Sequence, residues 1–317
     1  MKKKNIDNNY FKKKSKFLSR LIIFIIIAIV LAAGFIFTKR LINKYNKSHV
    51  TINTIENFWK QEKYTEVYDS CKLLLQEQAF NNKVLTYYSY ASFILAVSQT
   101  DSSLAQTYLD EAINNLRIVM YDAKPSLIPQ LEYMLGKAYF YKNTISTYYY
   151  ADLAVKFLTK AREDGYEADD IPEYLGLSYA VLGMTKESIS SFTEALLFRE
   201  SDSLLLSIAE QYYKCGETSA AKQYLFRVIN NSDNDEIVIK CRNLLGNIYI
   251  EQKEYSEALE EFRNVLALNQ KSADAHYGIG LVYESQGNMV MARAEWREAL
   301  KIQVNHPGAL KKFSETR

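Results

Sequence analysis

The chain has 317 residues, of which 48% are hydrophobic and 24% are charged, as is ordinary for a folded protein. Residues 1–50 hold 12 Lys/Arg and one acidic residue, Asp7, whereas the remainder holds 27 Lys/Arg and 36 Asp/Glu. An acidic body suits a phosphate backbone poorly, which argues against nucleic acid as a partner. The 11 Gly and 4 Pro are too few for the turns of a large sheet protein, so we expect an all-α fold.

The amino-terminal end carries a candidate membrane segment. Residues 21–37 contain no charge, and as a helix they would span about 25 Å. Eight Lys/Arg precede this run and four follow it closely, which favours a cytoplasmic amino terminus. A cleavable signal peptide is the alternative, because residues 30–33 resemble a small-residue cleavage site, although the apolar run continues to Phe37.

We therefore predict three segments before the body of the chain. Residues 1–20 form a basic cytoplasmic tail, residues 21–38 a transmembrane helix and residues 39–50 a linker. The predicted location is the bacterial inner membrane, crossed once, with the body in the periplasm.

A repeat fills the body. Small and aromatic residues at Gly246, Tyr249, Ala258 and Phe262 recur 34 residues later. The second copies are Gly280, Tyr283, Ala292 and Trp296. Earlier copies place their small residue at Ala209, Gly176 and Gly136. Each copy reads as two amphipathic helices joined by a short polar turn.

This pattern, L-G-x-x-Y followed by A-x-x-x-F at a period of 34, resembles the tetratricopeptide repeat (TPR) family. The resemblance implies a right-handed α-solenoid of helix hairpins, with six to seven pairs over residues 51–306. Residues 307–317 would form a capping helix that turns Leu310 and Phe313 inward and Lys311 and Lys312 toward water. Small residues would let crossing helices approach closely while aromatic residues fill the remaining space.

Residues 142–150 form an insertion in the repeat. Three successive tyrosines, Tyr148 to Tyr150, cannot all face one side of a helix, so at least one should be exposed. The segment is either a contact loop or a longer helix that packs internally.

The body contains no catalytic or phosphate-binding motif and no spacing typical of a metal site. We predict no enzyme activity, no cofactor and no metal. The cysteines Cys71, Cys215 and Cys241 are expected to be free, buried thiols. Three histidines, His49, His276 and His306, are interpreted as surface or packing residues. The pair Asp169-Asp170 is interpreted as the start of a helix.

The remaining candidate is a binding surface. In the TPR family the first helices of the hairpins line a concave groove, and this carry-over predicts partner-binding residues on one face. They are Tyr88, Tyr133, Phe140, Tyr141, Tyr174, Leu177, Leu206, Tyr213, Asn243, Asn247, Tyr277 and Leu281. Lys137 and Asn247 occupy isolated equivalents of the carboxylate-binding positions of chaperone-binding members. The alternative is that most of the tyrosines serve the core.

The preferred function is a non-catalytic, membrane-anchored TPR scaffold that binds peptide segments or other envelope subunits. The collar of a periplasmic flagellar motor is the specific example that the resemblance suggests. The alternative is a chaperone-associated or import-receptor-like adaptor with its repeats facing the cytosol, and an enzyme with a cryptic site ranks third. Homo- and hetero-oligomers both stay open.

Overall fold

A computed structural model describes residues 50–315 and, before them, only residues 24–25, 29, 31 and 34–39. The predicted basic tail, half of the predicted transmembrane segment 21–38, most of the predicted linker 39–50 and His49 lie outside the described residues. Among the positions that are described, no helix has the length and apolarity needed to cross a membrane.

Fifteen α-helices lie between residues 50 and 315, and this range contains no β-strand, which confirms the predicted all-α fold. The chain divides into two compact units between Gln99 and Thr100. The first unit contains α1 (Ile52–Lys60), α2 (Tyr64–Leu75) and α3 (Asn82–Val97). The second unit contains α4 (Ser102–Tyr121), α5 (Ile128–Ile145), α6 (Ala151–Glu163), α7 (Ile171–Val181), α8 (Thr185–Ala195), α9 (Asp202–Lys214), α10 (Thr218–Asn231), α11 (Asp235–Glu251), α12 (Tyr255–Leu268), α13 (Ala273–Ser285), α14 (Met289–Ile302) and α15 (Pro307–Glu315).

Five helix hairpins make up most of the second unit. They are α5/α6, α7/α8, α9/α10, α11/α12 and α13/α14, and the two helices of each pair make its most extensive contacts. The second helix of each hairpin also packs on the first helix of the next. Because neither helix can bury its apolar face alone, neighbouring hairpins share one core.

The sequence specifies where many helices begin. At seven helix starts, a side-chain oxygen of the N-cap residue accepts a backbone N–H from the first turn, which satisfies a donor that the helix leaves unpaired. These N-cap residues are Thr51, Asn81, Asp101, Ser201, Asn234, Ser272 and Asn288. Helices α5, α7 and α15 carry a proline in the first turn, where its missing N–H costs nothing.

The turn inside several hairpins contains a residue in the left-handed backbone conformation. Gly183, Gly216 and Gly287 adopt positive φ in three hairpins of the second unit. In the α11/α12 hairpin the same place is taken by Lys253, with φ 62°. Glu62, between α1 and α2, does the same with φ 57°. The turn geometry is thus common to these hairpins, although a Cβ makes it less favourable at Lys253 and Glu62.

The small residues of the first helices meet large residues of the second, as predicted. A Cβ placed on Gly246 would lie 2.6 Å from Cζ of Phe262, and one on Gly136 would lie 2.6 Å from Cγ of Leu158. Gly280 approaches the indole of Trp296 in the same way. The predicted second-helix core positions are buried as well; they include Ala154, Leu158, Ala161, Ala221, Leu225, Val228, Ala258, Phe262, Val265, Ala292, Trp296 and Ala299.

The terminal helix α15 packs on the last hairpin, but not through all the residues predicted. Phe313 lies edge-on to Trp296 as expected, and Lys311 is exposed. The prediction for Leu310 is wrong, because it is 47% exposed and Ala309 is buried in its place. The prediction that Lys312 faces water is also wrong. Its Nζ lies 2.7 Å from Glu284 Oε2 and above the Trp296 ring.

Two of the three cysteines match the prediction. All three are free thiols, and Cys71 and Cys241 are buried. Burial raises the pKa of each of these two thiols to about 12, so both stay protonated at neutral pH. Cys215 is exposed, which corrects the prediction of a buried thiol. It occupies the C-cap of α9, where the side chain reaches the backbone oxygen of Tyr212 and faces solvent rather than the core.

The insertion is partly helical and partly an exposed loop, and its role as a contact loop stays a prediction. Helix α5 extends to Ile145, and residues 146–150 follow it without helical structure. Tyr148 and Tyr149 are 71% and 83% exposed, which confirms an exposed tyrosine. Tyr150 turns inward, with Lys142 Nζ 4.7 Å from its ring centroid.

Candidate functional site

The first helices of the second unit form one face. Helix α5 contacts α7, α7 contacts α9, α9 contacts α11, and α11 contacts α13. Side chains that leave these helices on the same side are therefore neighbours across hairpins, even though about 33 to 37 residues separate them in the sequence. We call this surface the first-helix face.

A group of aromatic side chains lies on this face between α5 and α7. The ring of Phe140 packs edge-on against Tyr174 at a centroid distance of 4.9 Å. The hydroxyl groups of Tyr141 and Tyr174 are 3.0 Å apart and share a hydrogen bond. We call Tyr133, Phe140, Tyr141 and Tyr174 the aromatic cluster; the structure brings together all four predicted residues.

A charged pair holds the aromatic cluster in place. Lys137 Nζ donates to Asp170 Oδ2 at 2.8 Å and to the Tyr133 hydroxyl at 3.0 Å. It also lies about 5 Å from the ring centroids of Tyr133 and Tyr174, within range of a cation–π contact. The Tyr133 hydroxyl donates to the Asp170 carboxylate at 2.8 Å. Lys137 is thus paired with a carboxylate of the protein itself.

Burial sets the protonation of the two central tyrosines. Burial, followed by the hydrogen bond to Asp170, raises the pKa of Tyr133 well above its usual range. Burial and the bond to Tyr141 raise the pKa of Tyr174 in the same way. Both phenols therefore remain neutral donors at any physiological pH, and this part of the face does not change charge.

A depression of about 540 Å³ opens beside the aromatic cluster. Phe140, Tyr141, Tyr174 and Leu177 supply an apolar wall, and Phe198 closes the far side. Its polar lining consists of three carboxylates and one guanidinium; these are Asp169, Asp170, Glu173 and Arg199. Arg199 Nη2 lies 3.0 Å from Glu173 Oε2, which leaves the lining with an excess of negative charge.

A second depression, of about 520 Å³, lies on the same face between α11 and α13. It brings together three predicted residues, Asn243, Asn247 and Tyr277. The start of α15 lines it too, because His306 stacks beside the Tyr277 ring at 4.9 Å. Asn243 Oδ1 is buried and has no hydrogen-bond partner among the described residues. The amides of this depression thus hold hydrogen-bonding capacity that the protein itself does not use.

The other predicted residues do not join these two groups. The Tyr213 hydroxyl donates to a carboxylate oxygen of Glu251, and burial raises its pKa to about 12. Leu206 is part of the core beside Leu225, and Leu281 packs on the core near Trp296. The prediction for Tyr88 is wrong, since it is 6% exposed and stacks on Tyr68 inside the first unit.

Sequence reasoning missed the charged partners of the face. Asp170 was interpreted only as the start of a helix, and His306 as a surface or packing residue. Asp170 precedes a proline-started helix, and that position alone signals a cap rather than a bond to Tyr133. Among the residues that the structure describes, no three His, Cys, Asp or Glu side chains gather as a metal site.

Comparison with known proteins agrees with the helix hairpins. Residues 246–287 match the family model of the TPR repeat. Over this segment the chain is similar to a tetratricopeptide repeat. The matched residues comprise α11 from Gly246 onward, α12, α13 and the turn at Gly287, whose packing is described above.

Solved structures share the TPR fold with this chain at low sequence identity. The apo form of the quorum sensor NprR from B. thuringiensis is 17% identical, with a TM-score of 0.58 over 86% of this chain and 80% of that chain. The C-terminal part of a TPR repeat-containing protein from Cytophaga hutchinsonii is 14% identical, with a TM-score of 0.54 over 82% of this chain and 98% of that one.

A curated relative is similar to most of this chain. Anaphase-promoting complex subunit CDC16 from Saccharomyces cerevisiae is 21% identical over 285 residues, which is 82% of this chain. This chain spans only 33% of the length of that relative. TPR proteins bind other proteins or peptides.

Proposed function

We propose that this chain is a non-catalytic scaffold that holds segments of partner proteins on the first-helix face. The observation that carries the proposal is the contact between successive first helices, which places two depressions on one side of the second unit. An extended segment could occupy both depressions, since each lies on first helices of the same stack.

The lining of each depression favours a different part of the partner. The aromatic cluster offers rigid apolar area, which costs little conformational entropy on binding. The carboxylates of Asp169 and Asp170 beside it favour a basic side chain over an acidic one. The amide of Asn243 and the exposed amide of Asn247 suit the backbone of an extended peptide.

A further part of the proposal is that residues 21–38 anchor the scaffold in a bacterial inner membrane, with the repeats in the periplasm. Its support is the uncharged run flanked by eight and four positive charges. The collar of a periplasmic flagellar motor is the specific assembly proposed, because an anchored array of repeats is suited to link other envelope subunits.

Photocrosslinking tests the binding face. A photoreactive amino acid at Phe140 or Asn247 in the full chain in cells should yield covalent adducts with defined partner proteins. The same group at Glu260, an exposed residue of the second helix α12, is the matched control. Adducts at Glu260 that equal those at Phe140 and Asn247 would refute a binding role for the first-helix face.

Fractionation tests the anchor separately. The full chain should resist carbonate extraction from membranes, and protease added to intact spheroplasts should digest the repeats. Protection of the repeats would place them on the cytoplasmic side and favour the adaptor alternative. Identification of the crosslinked partners decides the motor assignment, which fails if neither motor nor envelope-assembly proteins are among them.

A further inference from the structure

A large cavity of the second unit lies away from the aromatic cluster and both depressions. It has a volume of about 790 Å³ and opens between α4, α5 and α6, with Tyr179 of α7 at one side. Its lining is mainly apolar or aromatic. The residues with apolar surface are Met120, Tyr121, Val155, Phe157 and Tyr179. A cavity of this size and lining is typical of a binding pocket.

Two polar atoms in the lining have no hydrogen-bond partner within residues 50–315. Glu132 is only 5% exposed, yet its carboxylate Oε2 makes no hydrogen bond. The Thr159 hydroxyl, one helix away on α6, is also buried and unpaired. An unpaired buried carboxylate oxygen is costly to stability, and such atoms in native structures call for an explanation. A ligand that donates a hydrogen bond to this oxygen would supply that explanation.

Glu132 faces a different side of α5 from the first-helix face. It is adjacent to Tyr133 in the sequence, and adjacent residues in an α-helix are about 100° apart around the axis. Burial, and then the negative charge of Asp164, raise the pKa of the Glu132 carboxyl. The positive charge of Lys160 acts in the opposite direction and lowers the pKa of this carboxyl, but burial outweighs it.

We propose that this cavity receives a tryptophan or tyrosine side chain of a partner protein, whose N–H or O–H donates to Glu132 Oε2. The apolar walls match the ring, and the unpaired oxygen matches the single donor that these side chains carry. Arg117, Lys156 and Lys160 line the same cavity, against Glu132 and Glu163. The excess of positive charge disfavours a lysine or another amine as the occupant.

The surroundings of the cavity favour a protein segment over a small molecule. Tyr121 is 94% exposed at the edge of the cavity, and Ile118, one turn before it on α4, is 42% exposed. These side chains extend the apolar surface beyond the cavity, where residues flanking the inserted side chain would lie. The cavity volume also exceeds what one aromatic ring requires.

The test uses N-acetyl-tryptophanamide as a probe of the full chain. The chain has six methionines, so selective ¹³C-methyl labelling gives few signals, and Met120→Leu assigns the one in the cavity. Titration with the probe should shift the Met120 signal in a saturable way. The derivative methylated on the indole nitrogen lacks the donor and should bind about tenfold more weakly.

Three variants make the test specific. Glu132→Leu removes the acceptor, so the probe and its methylated derivative should then bind equally. Val155→Trp fills the cavity and should abolish the shift of Met120 while the other methionine signals remain native. Glu260→Gln, at an exposed position of α12, should leave probe binding unchanged.

Three outcomes would overturn the proposal. They are the absence of a Met120 shift up to the solubility limit of the probe, equal binding of the two derivatives to the unmodified chain, and discrimination that persists in Glu132→Leu. The proposed function of the first-helix face is tested by crosslinking at Phe140 and Asn247, so either proposal can fail without the other.

Discussion

Gly246 faces Phe262 so closely that a Cβ on the glycine would lie 2.6 Å from Cζ of the ring. Phe262 also lies against Gly278, so its ring is held between two glycine backbones from successive hairpins. The ring has little room to move away from an added methyl group, since cores are packed without spare space. The glycine is therefore a packing requirement here and not a flexibility device.

We expect Gly246→Ala to destabilise the chain by about 1–3 kcal/mol, because overpacking outweighs the better helix propensity of alanine. Urea unfolding measures this change. The equivalent pair in the α9/α10 hairpin is Ala209 with Leu225, both fully buried. Adding Phe262→Leu to Gly246→Ala recreates that pair and should make the alanine less costly. Equal costs of Gly246→Ala with and without Phe262→Leu would contradict this interpretation.

At the left-handed turn of Lys253 we expect a substitution that raises the free energy of unfolding, unlike Gly246→Ala. Lys253→Gly should stabilise the chain by about 1 kcal/mol, because glycine adopts positive φ without the Cβ clash. Gly287→Lys, at the matching turn one hairpin later, should destabilise it by a similar amount. Lys253→Ala keeps the Cβ and should be near neutral. Thermal and urea unfolding of the three variants checks the order, and a stabilising Lys253→Ala would point to the lysine side chain instead.

The sequence repeat predicted the buried residues well, because one packing rule determines which residue sizes face each other inside every hairpin. A hairpin needs a small residue on the first helix and a large one at a set distance on the second, and Gly280 with Trp296 follows this rule as Gly246 with Phe262 does. The insertion in the 34-residue repeat at residues 142–150 also located the exposed loop that contains Tyr149.

The face of the protein was predicted less completely. Asp170 bonds to Tyr133 and Lys137 across hairpins, and periodicity says nothing about which polar side chains meet. The terminal helix shows a second limit. A register difference of one residue rotates a helix by about 100°, so in this short helix Ala309 rather than Leu310 faces the core.

The raised pKa of Glu132 predicts a pH-dependent effect. A carboxyl whose pKa is higher in the folded state than its ordinary 4.5 binds its proton more tightly when folded. Its contribution to stability is therefore complete at low pH and is lost as pH rises from 4.5 through the folded-state value. Glu132→Gln removes the buried charge and should stabilise the chain at pH 7.5 by about 1 kcal/mol.

The difference between Glu132→Gln and the unmodified chain should shrink as the pH approaches 4.5. Unfolding midpoints measured in parallel from pH 7.5 down to 4.5 check this trend, with Glu260→Gln as the exposed control. A difference in unfolding midpoint that stays constant with pH, or a Glu132→Gln variant that is destabilised at pH 7.5, would contradict this prediction. Either result would show that the folded protein stabilises the charge of Glu132.

His306 caps the last helix, and this makes the final prediction. Its Nδ1 accepts the backbone N–H of Ala309 at 3.1 Å, so the ring proton must lie on Nε2, which donates to Asp274 Oδ1 at 3.0 Å. The imidazole is buried and rests on the Tyr277 ring at the edge of the second depression. It thus joins the cap of α15 to α13 of the last hairpin.

His306→Ala should destabilise the chain by about 1–3 kcal/mol, through the lost cap and the cavity left beside Tyr277. His306→Asn keeps a good capping side chain and should retain much of the order of α15, although it loses the ring contact. Hydrogen exchange of the amides from Leu310 to Glu315 separates these effects. Strong loss of protection in His306→Ala with partial loss in His306→Asn is expected, whereas equal losses would mean that the ring contact, and not the cap, holds the helix in place.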